Sequence, residues 1–185
     1  MRWRWAALGV YVAAIYTSLP VAPRVGLRLL RSAPGGWLLG PGLPLLGAAA
    51  AGMLVLVLRR HRAPVWAYGV LALAALGYGV ALSWLNAQRL ERTHLPEYGI
   101  AAWLAWRAVA PLMPDAFAGY ATAAALASVI GLGDELLQGV TPGRYYDLRD
   151  VGMNALGAVL GVLVLAAVRA GSGSAADREH EDHRE

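Results

Sequence analysis

The sequence predicts an all-α protein, a polytopic transmembrane helix bundle of about six spans. Three observations carry that reading. Hydrophobic residues make up 58% of the chain and charged residues 15%, with a mean hydropathy of +0.48; a soluble domain has roughly 25% charged residues. The charges also avoid whole segments: residues 5–19, 43–58, 65–85, 98–113, 119–137 and 151–168 form six apolar stretches, interrupted by charge only at Arg107, Asp134 and Glu135. Between them fall arginines, prolines and glycines, the punctuation expected where helices leave a bilayer.

The first stretch follows a basic start, MRWRWAALGVYVAAIY, as in a signal peptide. No A-x-A-like cleavage site follows and further spans do, so it reads as a retained first helix. Residues 21–42 hold Pro23, Pro34, Pro41 and three arginines. VGLRLLRSA within them fits a short amphipathic helix on the membrane surface or an ordinary connection. The second and third stretches meet at a dense turn, Arg59-Arg60-His61-Arg62. The fourth begins after Pro96, a residue suited to a first helical turn, with Thr93 or His94 placed to cap it and Glu97 agreeing with the helix dipole. The fifth and sixth flank a polar interval. Several stretches are at or below the roughly 20 residues a span needs, the first, second and fourth most doubtfully; tilt or a thinned bilayer accommodates short ones.

Three regions follow: N-terminal transmembrane helices in 1–85, a polar-bearing core in 86–169, and a disordered acidic tail in 170–185, where AGSGSAADREHEDHRE loses all apolar period. All 16 basic residues are arginine and the formal charge is +4. In a membrane chain that excess points to anionic lipid headgroups and orientation rather than nucleic acid. Arg2, Arg4, Arg59, Arg60, Arg62 and Arg169 nearly balance Arg24, Arg28, Arg31, Arg89 and Arg92 across the two sides. The dense 59–62 turn favours a cytoplasmic amino terminus, which puts the loop at 139–149 outside. There are no cysteines, hence no disulfide and no thiolate metal site.

Polar residues concentrate in residues 131–161, GLGDELLQGVTPGRYYDLRDVGMNALGAVLG. Charges beside hydrocarbon are expensive, so such a cluster is a functional-site candidate. Asp134, Glu135 and Gln138 lie three and four apart and make one polar edge of a helix. Adjacent carboxylates can perturb one another, bind a cation or bind an arginine. Pro142-Gly143 is a turn signal that presents Arg144, whose guanidinium forks onto phosphate or carboxylate. Asp150, Asn154, Gly157 and Gly161 follow one face of the last helix, and the two glycines form a small-xxx-small seam expected to admit the fifth span. Upstream, His94 and Tyr98 share a helix face. Arg107 sits inside an apolar run, where it snorkels or meets a buried carboxylate. Trp103 and Trp106 suit an interfacial belt or helix packing.

The pattern Asp134-Glu135-Gln138, then Pro142-Gly143-Arg144, then Asp150-Asn154-Gly157-Gly161 resembles the signature of the VanZ-like family, and residues 92–99, RTHLPEYG, resemble its entry to an earlier helix. The resemblance covers residues 91–169. It implies a small bacterial membrane protein with a core of about four helices, to which this chain adds N-terminal spans. The family is named for a protein accompanying glycopeptide resistance, associated with teicoplanin resistance, and the resemblance implies no particular reaction.

Two function classes follow. In the first, Arg144 with Arg149 and His94 holds the phosphate of an anionic, lipid-linked envelope intermediate such as a polyprenyl-phosphate. Tyr98, Asp134, Gln138 and Asn154 line that site, and Glu135, Asp134 or Asp150 acts as base or binds a divalent cation. Glu135 and Asp150 are the catalytic candidates. In the second, the same residues form a structural salt-bridge network in a non-enzymatic envelope protein of the bacterial inner membrane. A proton-coupled transporter is weaker, because no matching pair of interrupted helices is evident. There is no P-loop, no G-x-S-x-G elbow, no H-E-x-x-H and no Cys/His metal cluster, so no named enzyme class and no metal site is indicated, and the sequence identifies no particular cofactor.

Overall fold

The computed structural model describes residues 1–84 and 91–182, and side chains as far as 171. Arg89 and the expected boundary at residue 86 lie outside the described residues. Eight α-helices and no strand are found among them: α1 (Arg2–Ser18), α2 (Ala22–Arg31), α3 (Ala33–Trp37), α4 (Leu43–Arg60), α5 (Val65–Trp84), α6 (His94–Val109), α7 (Ala116–Val140) and α8 (Leu148–Asp182). The six apolar stretches correspond to α1, α4, α5, α6, α7 and α8.

Among the described residues four helical segments are long and apolar enough to cross a membrane, Ala33–Arg60, Val65–Trp84, Ala116–Val140 and Leu148–Gly171, and the bent pair α1–α2 makes a fifth if it counts as one span. The second stretch is therefore longer than its apolar run, because α3 and a wide turn over Leu38–Gly42 lead into α4. The first and fourth are the short ones. α1 bends by 75° into α2, and α6 has 16 residues, about 24 Å at 1.5 Å per residue, against a hydrocarbon core of roughly 30 Å. α2 is the amphipathic helix, with Arg24, Arg28 and Arg31 at helical spacing and Pro23 in its first turn.

α1 runs antiparallel to α6, and α6 antiparallel to α7, where Tyr98 meets Asp134 and Trp106 meets Tyr120. Arg4 near the start of α1 donates to the Arg107 carbonyl near the end of α6, at 3.3 Å. Tyr11 donates to the Glu97 carbonyl at 3.0 Å, and Tyr16 to the Ile130 carbonyl of α7 at 2.8 Å. α6 is the central helix. Leu95, Tyr98, Ala101, Ala102 and Ala105 are fully buried, and the alanines let neighbouring helices close in on several sides. The outward surface is apolar as well, with Leu45, Met53, Leu56, Leu76, Phe117 and Val129 exposed, the inside-out character of a chain bathed in lipid.

The glycine seam of α8 corrects one expectation. Gly157 and Gly161 face α6 rather than α7. A Cβ on Gly161 would lie 2.5 Å from Gly99 Cα, and one on Gly157 would lie 2.7 Å from the Leu95 carbonyl oxygen. α7 approaches α8 elsewhere, at Gly131, where a Cβ would lie 2.6 Å from Asn154 Cβ. A small-xxx-small pattern marks a close crossing without naming the helix that uses it. The backbone of α8 continues helically to Asp182, into residues expected as an irregular tail. Ala175, Ala176 and the charged residues after them favour helix, and extending an existing helix needs no new nucleus.

Candidate functional site

Antiparallel packing brings the start of α6, the end of α7 and the start of α8 to one end of the bundle. The polar residues singled out in the sequence meet there. α6 begins directly from a 3₁₀ turn, Glu91–Thr93. Thr93 already has helical dihedrals and makes no side-chain cap, so the expected capping bond is absent. His94 and Tyr98 lie one turn apart with nearly parallel rings, centroids 6.3 Å apart.

Asp134, Glu135 and Gln138 are buried on α7. The Tyr98 hydroxyl donates to Asp134 Oδ2 at 2.9 Å, and the Gln138 amide donates to the same oxygen at 3.3 Å. Gln138 also donates to Glu135 Oε1 at 2.7 Å, and the Asp147 backbone N–H donates to Glu135 Oε2 at 3.3 Å. Asn154, fully buried on α8, donates from Nδ2 to the Gly131 carbonyl at 3.2 Å. Its Oδ1 lies 2.9 Å from His94 Nδ1. Because Nδ2 faces a carbonyl, Oδ1 is the atom turned to histidine, and an acceptor there requires the proton on Nδ1. In the neutral ring this contact selects the tautomer with its lone pair on Nε2.

The loop between α7 and α8 turns at Pro142-Gly143, with Gly143 at φ +79°. It sends Arg144 back over the cluster, where Nη2 donates to Gln138 Oε1. The Arg144 Nε is buried without a partner, as is Asp134 Oδ1. Arg149 is occupied differently. It pairs with Asp147 at 2.7 Å on the exposed surface, and that guanidinium holds the Asp147 carboxyl below its ordinary range. Burial raises the Glu91 carboxyl, with Asp150 adding to the rise. Asp150 is half-buried and within electrostatic reach of His94, Asp147, Arg149 and Arg144. Among the described residues of the cluster the ion pair is Arg149–Asp147, and the buried part is held by hydrogen bonds.

Nine candidate residues thus occupy one end of the molecule, with Gly157 and Gly161 fixing α8 against α6 just inside it. Sequence reasoning gave no structural role to Arg92. Its side chain is buried and donates to the Leu39 and Gly40 carbonyls at 3.3 and 3.0 Å, securing the turn where Gly40 leaves helical geometry. An arginine between an apolar helix and a proline-containing turn segment was the available signal.

Arg107 is far from these groups. Its guanidinium lies over Trp3 at 4.5 Å and Trp103 at 5.0 Å. Arg169 lies over Trp106 at 4.9 Å. These are cation–π contacts at the opposite end of the bundle. Among the described residues Arg107 meets aromatic faces and no carboxylate.

A family model described as VanZ/LLP1 matches residues 45–169. The match reaches back through α4 and α5, beyond the resemblance over residues 91–169, and takes in every residue of the polar end. No curated protein and no solved structure matches the chain. The matched segment covers well over half of the sequence and contains the Asp134-Glu135-Gln138, Arg144 and Asp150-Asn154 constellation in its helical setting: the chain belongs to the VanZ/LLP1 family.

Proposed function

We propose that this protein is a multi-pass protein of the bacterial inner membrane whose polar end binds the anionic headgroup of a lipid-linked envelope intermediate, with Arg144 as the anion clamp. One observation carries the reading. The Arg144 guanidinium rests on a neutral amide, Gln138, and not on a carboxylate, while its Nε is buried without a partner. An arginine that touches no carboxylate, with Asp150 only within electrostatic reach, retains donors for a phosphate oxygen. Its surroundings suit a headgroup. Val140, Tyr145, Tyr146 and Leu148 are exposed around the loop, the aromatic and apolar rim that sits at a bilayer interface. Arg149, paired with Asp147, is the weaker clamp. Glu135 and Asp150 are the groups available for proton transfer.

Tolerance to a glycopeptide such as teicoplanin follows on this reading only if the bound intermediate lies on the route to the drug's target. Native mass spectrometry of the full-length protein with its co-purified lipids tests the ligand. Wild type should retain a polyprenyl-phosphate-class species, and Arg144→Lys should lose it while remaining folded. Equal retention by both proteins, or retention of neutral lipid alone, refutes the reading.

The second reading, a structural polar seam in a non-enzymatic assembly protein, has its own observation: Asn154 ties α8 to both α6 and α7. It predicts that Arg144→Lys lowers the melting temperature in detergent and leaves the lipid complement unchanged.

A further inference from the structure

Two carboxylates sit side by side in the buried part of the site, Asp134 at 2% exposure and Glu135 at 0%. A buried charge needs a partner or an ion. Among the described residues neither enters an ion pair, and Asp134 Oδ1 has no hydrogen-bond partner. The third group beside them is His94, half-buried. A ring nitrogen of His94 and one oxygen from each carboxylate all lie within 4.8 Å of one another.

We infer that His94, Asp134 and Glu135 bind a divalent first-row transition-metal ion. The donor set is one imidazole nitrogen and two carboxylate oxygens, suited to Mn²⁺, Fe²⁺ or Zn²⁺. Bonds of roughly 2.0–2.2 Å draw such donors together. Every donor is already aimed by an outer hydrogen bond, as ligands of protein metal sites are. Asn154 takes the Nδ1 proton of His94 and leaves Nε2 for the metal. Tyr98 and Gln138 hold Asp134 by Oδ2, which leaves Oδ1 for the ion. Gln138 and the Asp147 backbone hold Glu135. Three protein ligands leave coordination positions open for water or an exogenous oxygen donor. The spacing concealed this set, because His94 lies 40 residues before Asp134 and arrives from a different helix.

The assignment stands independently of the anion clamp, whose readout is lipid retention on Arg144→Lys. The metal is tested on full-length protein purified without a histidine tag, stripped with EDTA and titrated with Mn²⁺ (by electron paramagnetic resonance) and Zn²⁺ (by calorimetry). Wild type should bind one equivalent more than Asp134→Asn and one more than His94→Gln. The His180-Glu181-Asp182-His183 segment is present in all three proteins, so any metal it takes cancels in the difference. Asn154→Ala should keep the equivalent with affinity weakened about 10–100-fold, the usual effect of losing an outer partner. Should Asp134→Asn fail to fold, His94→Gln decides, since it changes a residue that is only half-buried. Equal stoichiometry in wild type and His94→Gln, or no binding by wild type, overturns the assignment.

Discussion

The two ends of the bundle use the same kinds of residue to opposite effect. At one end Arg4, Arg107 and Arg169 stand over or beside Trp3, Trp103 and Trp106. Each cation there meets an aromatic face or a backbone carbonyl, and contacts of this sort tolerate sliding. At the other end Tyr98, Asp134, Glu135, Gln138, Arg144 and Asn154 each meet named atoms on another helix or loop, and two polar atoms are left buried with nothing to bind. Arginine anchors the first end. At the second, the charges are held in place but not cancelled, which is the condition under which a site retains affinity for something else.

Substitutions can break or sharpen this contrast. The largest effect is expected just inside the polar end. Gly161→Ala forces a methyl against the Gly99 backbone, which cannot swing aside, and should cost about 3 kcal/mol of stability. Gly152→Ala, on the same helix with nothing within 4 Å, should cost nothing measurable. Thermal melts of the pair in one detergent check this, and equal melting temperatures would contradict the α6–α8 crossing.

Next comes Asn154→Ala. It strands the His94 Nδ1 proton and opens a gap between three helices, for a loss of about 2 kcal/mol. At the opposite end Arg107→Ala removes two cation–π contacts and should cost about 1 kcal/mol, with lipid retention unchanged. A loss of retained lipid in Arg107→Ala would collapse the distinction between the ends.

The smallest effect belongs to Arg149→Ala. Its pair with Asp147 is exposed, and such pairs contribute little. The sign of its pH dependence is fixed. Arg149 depresses the folded Asp147 carboxyl, so the contribution is present above the unfolded carboxylate value of roughly 3.9 and is lost as pH falls through the depressed one. Melting curves of wild type and Arg149→Ala should therefore differ by a small, constant margin from about pH 5 to 8, wild type the higher, and converge in acid.

How much of this was legible in the sequence depends on the range of the interaction. Asp134, Glu135 and Gln138 are neighbours on one helix, and Asp150 and Asn154 on another, so helical spacing located both edges. The amphipathic α2 was legible for the same reason. His94 entered on its spacing to Tyr98 and on family resemblance, and nothing local says that it meets Asn154, 60 residues away. The glycine seam announced a close crossing, yet its partner is set by bundle topology, and α6 took the place expected for α7. The length of α6 was visible as a weak span. Its role as the buried centre was not, because a short alanine-rich helix reads the same whether lipid or protein surrounds it.

The central claim is that the buried carboxylates are kept for binding and not for stability. Asp134→Asn tests it most directly. Asparagine retains an oxygen for Tyr98 and Gln138 and removes the uncompensated charge. In metal-free detergent the variant should melt at the same temperature as wild type or higher. A fall of several degrees would show that the carboxylate stabilises the fold, and would contradict the account.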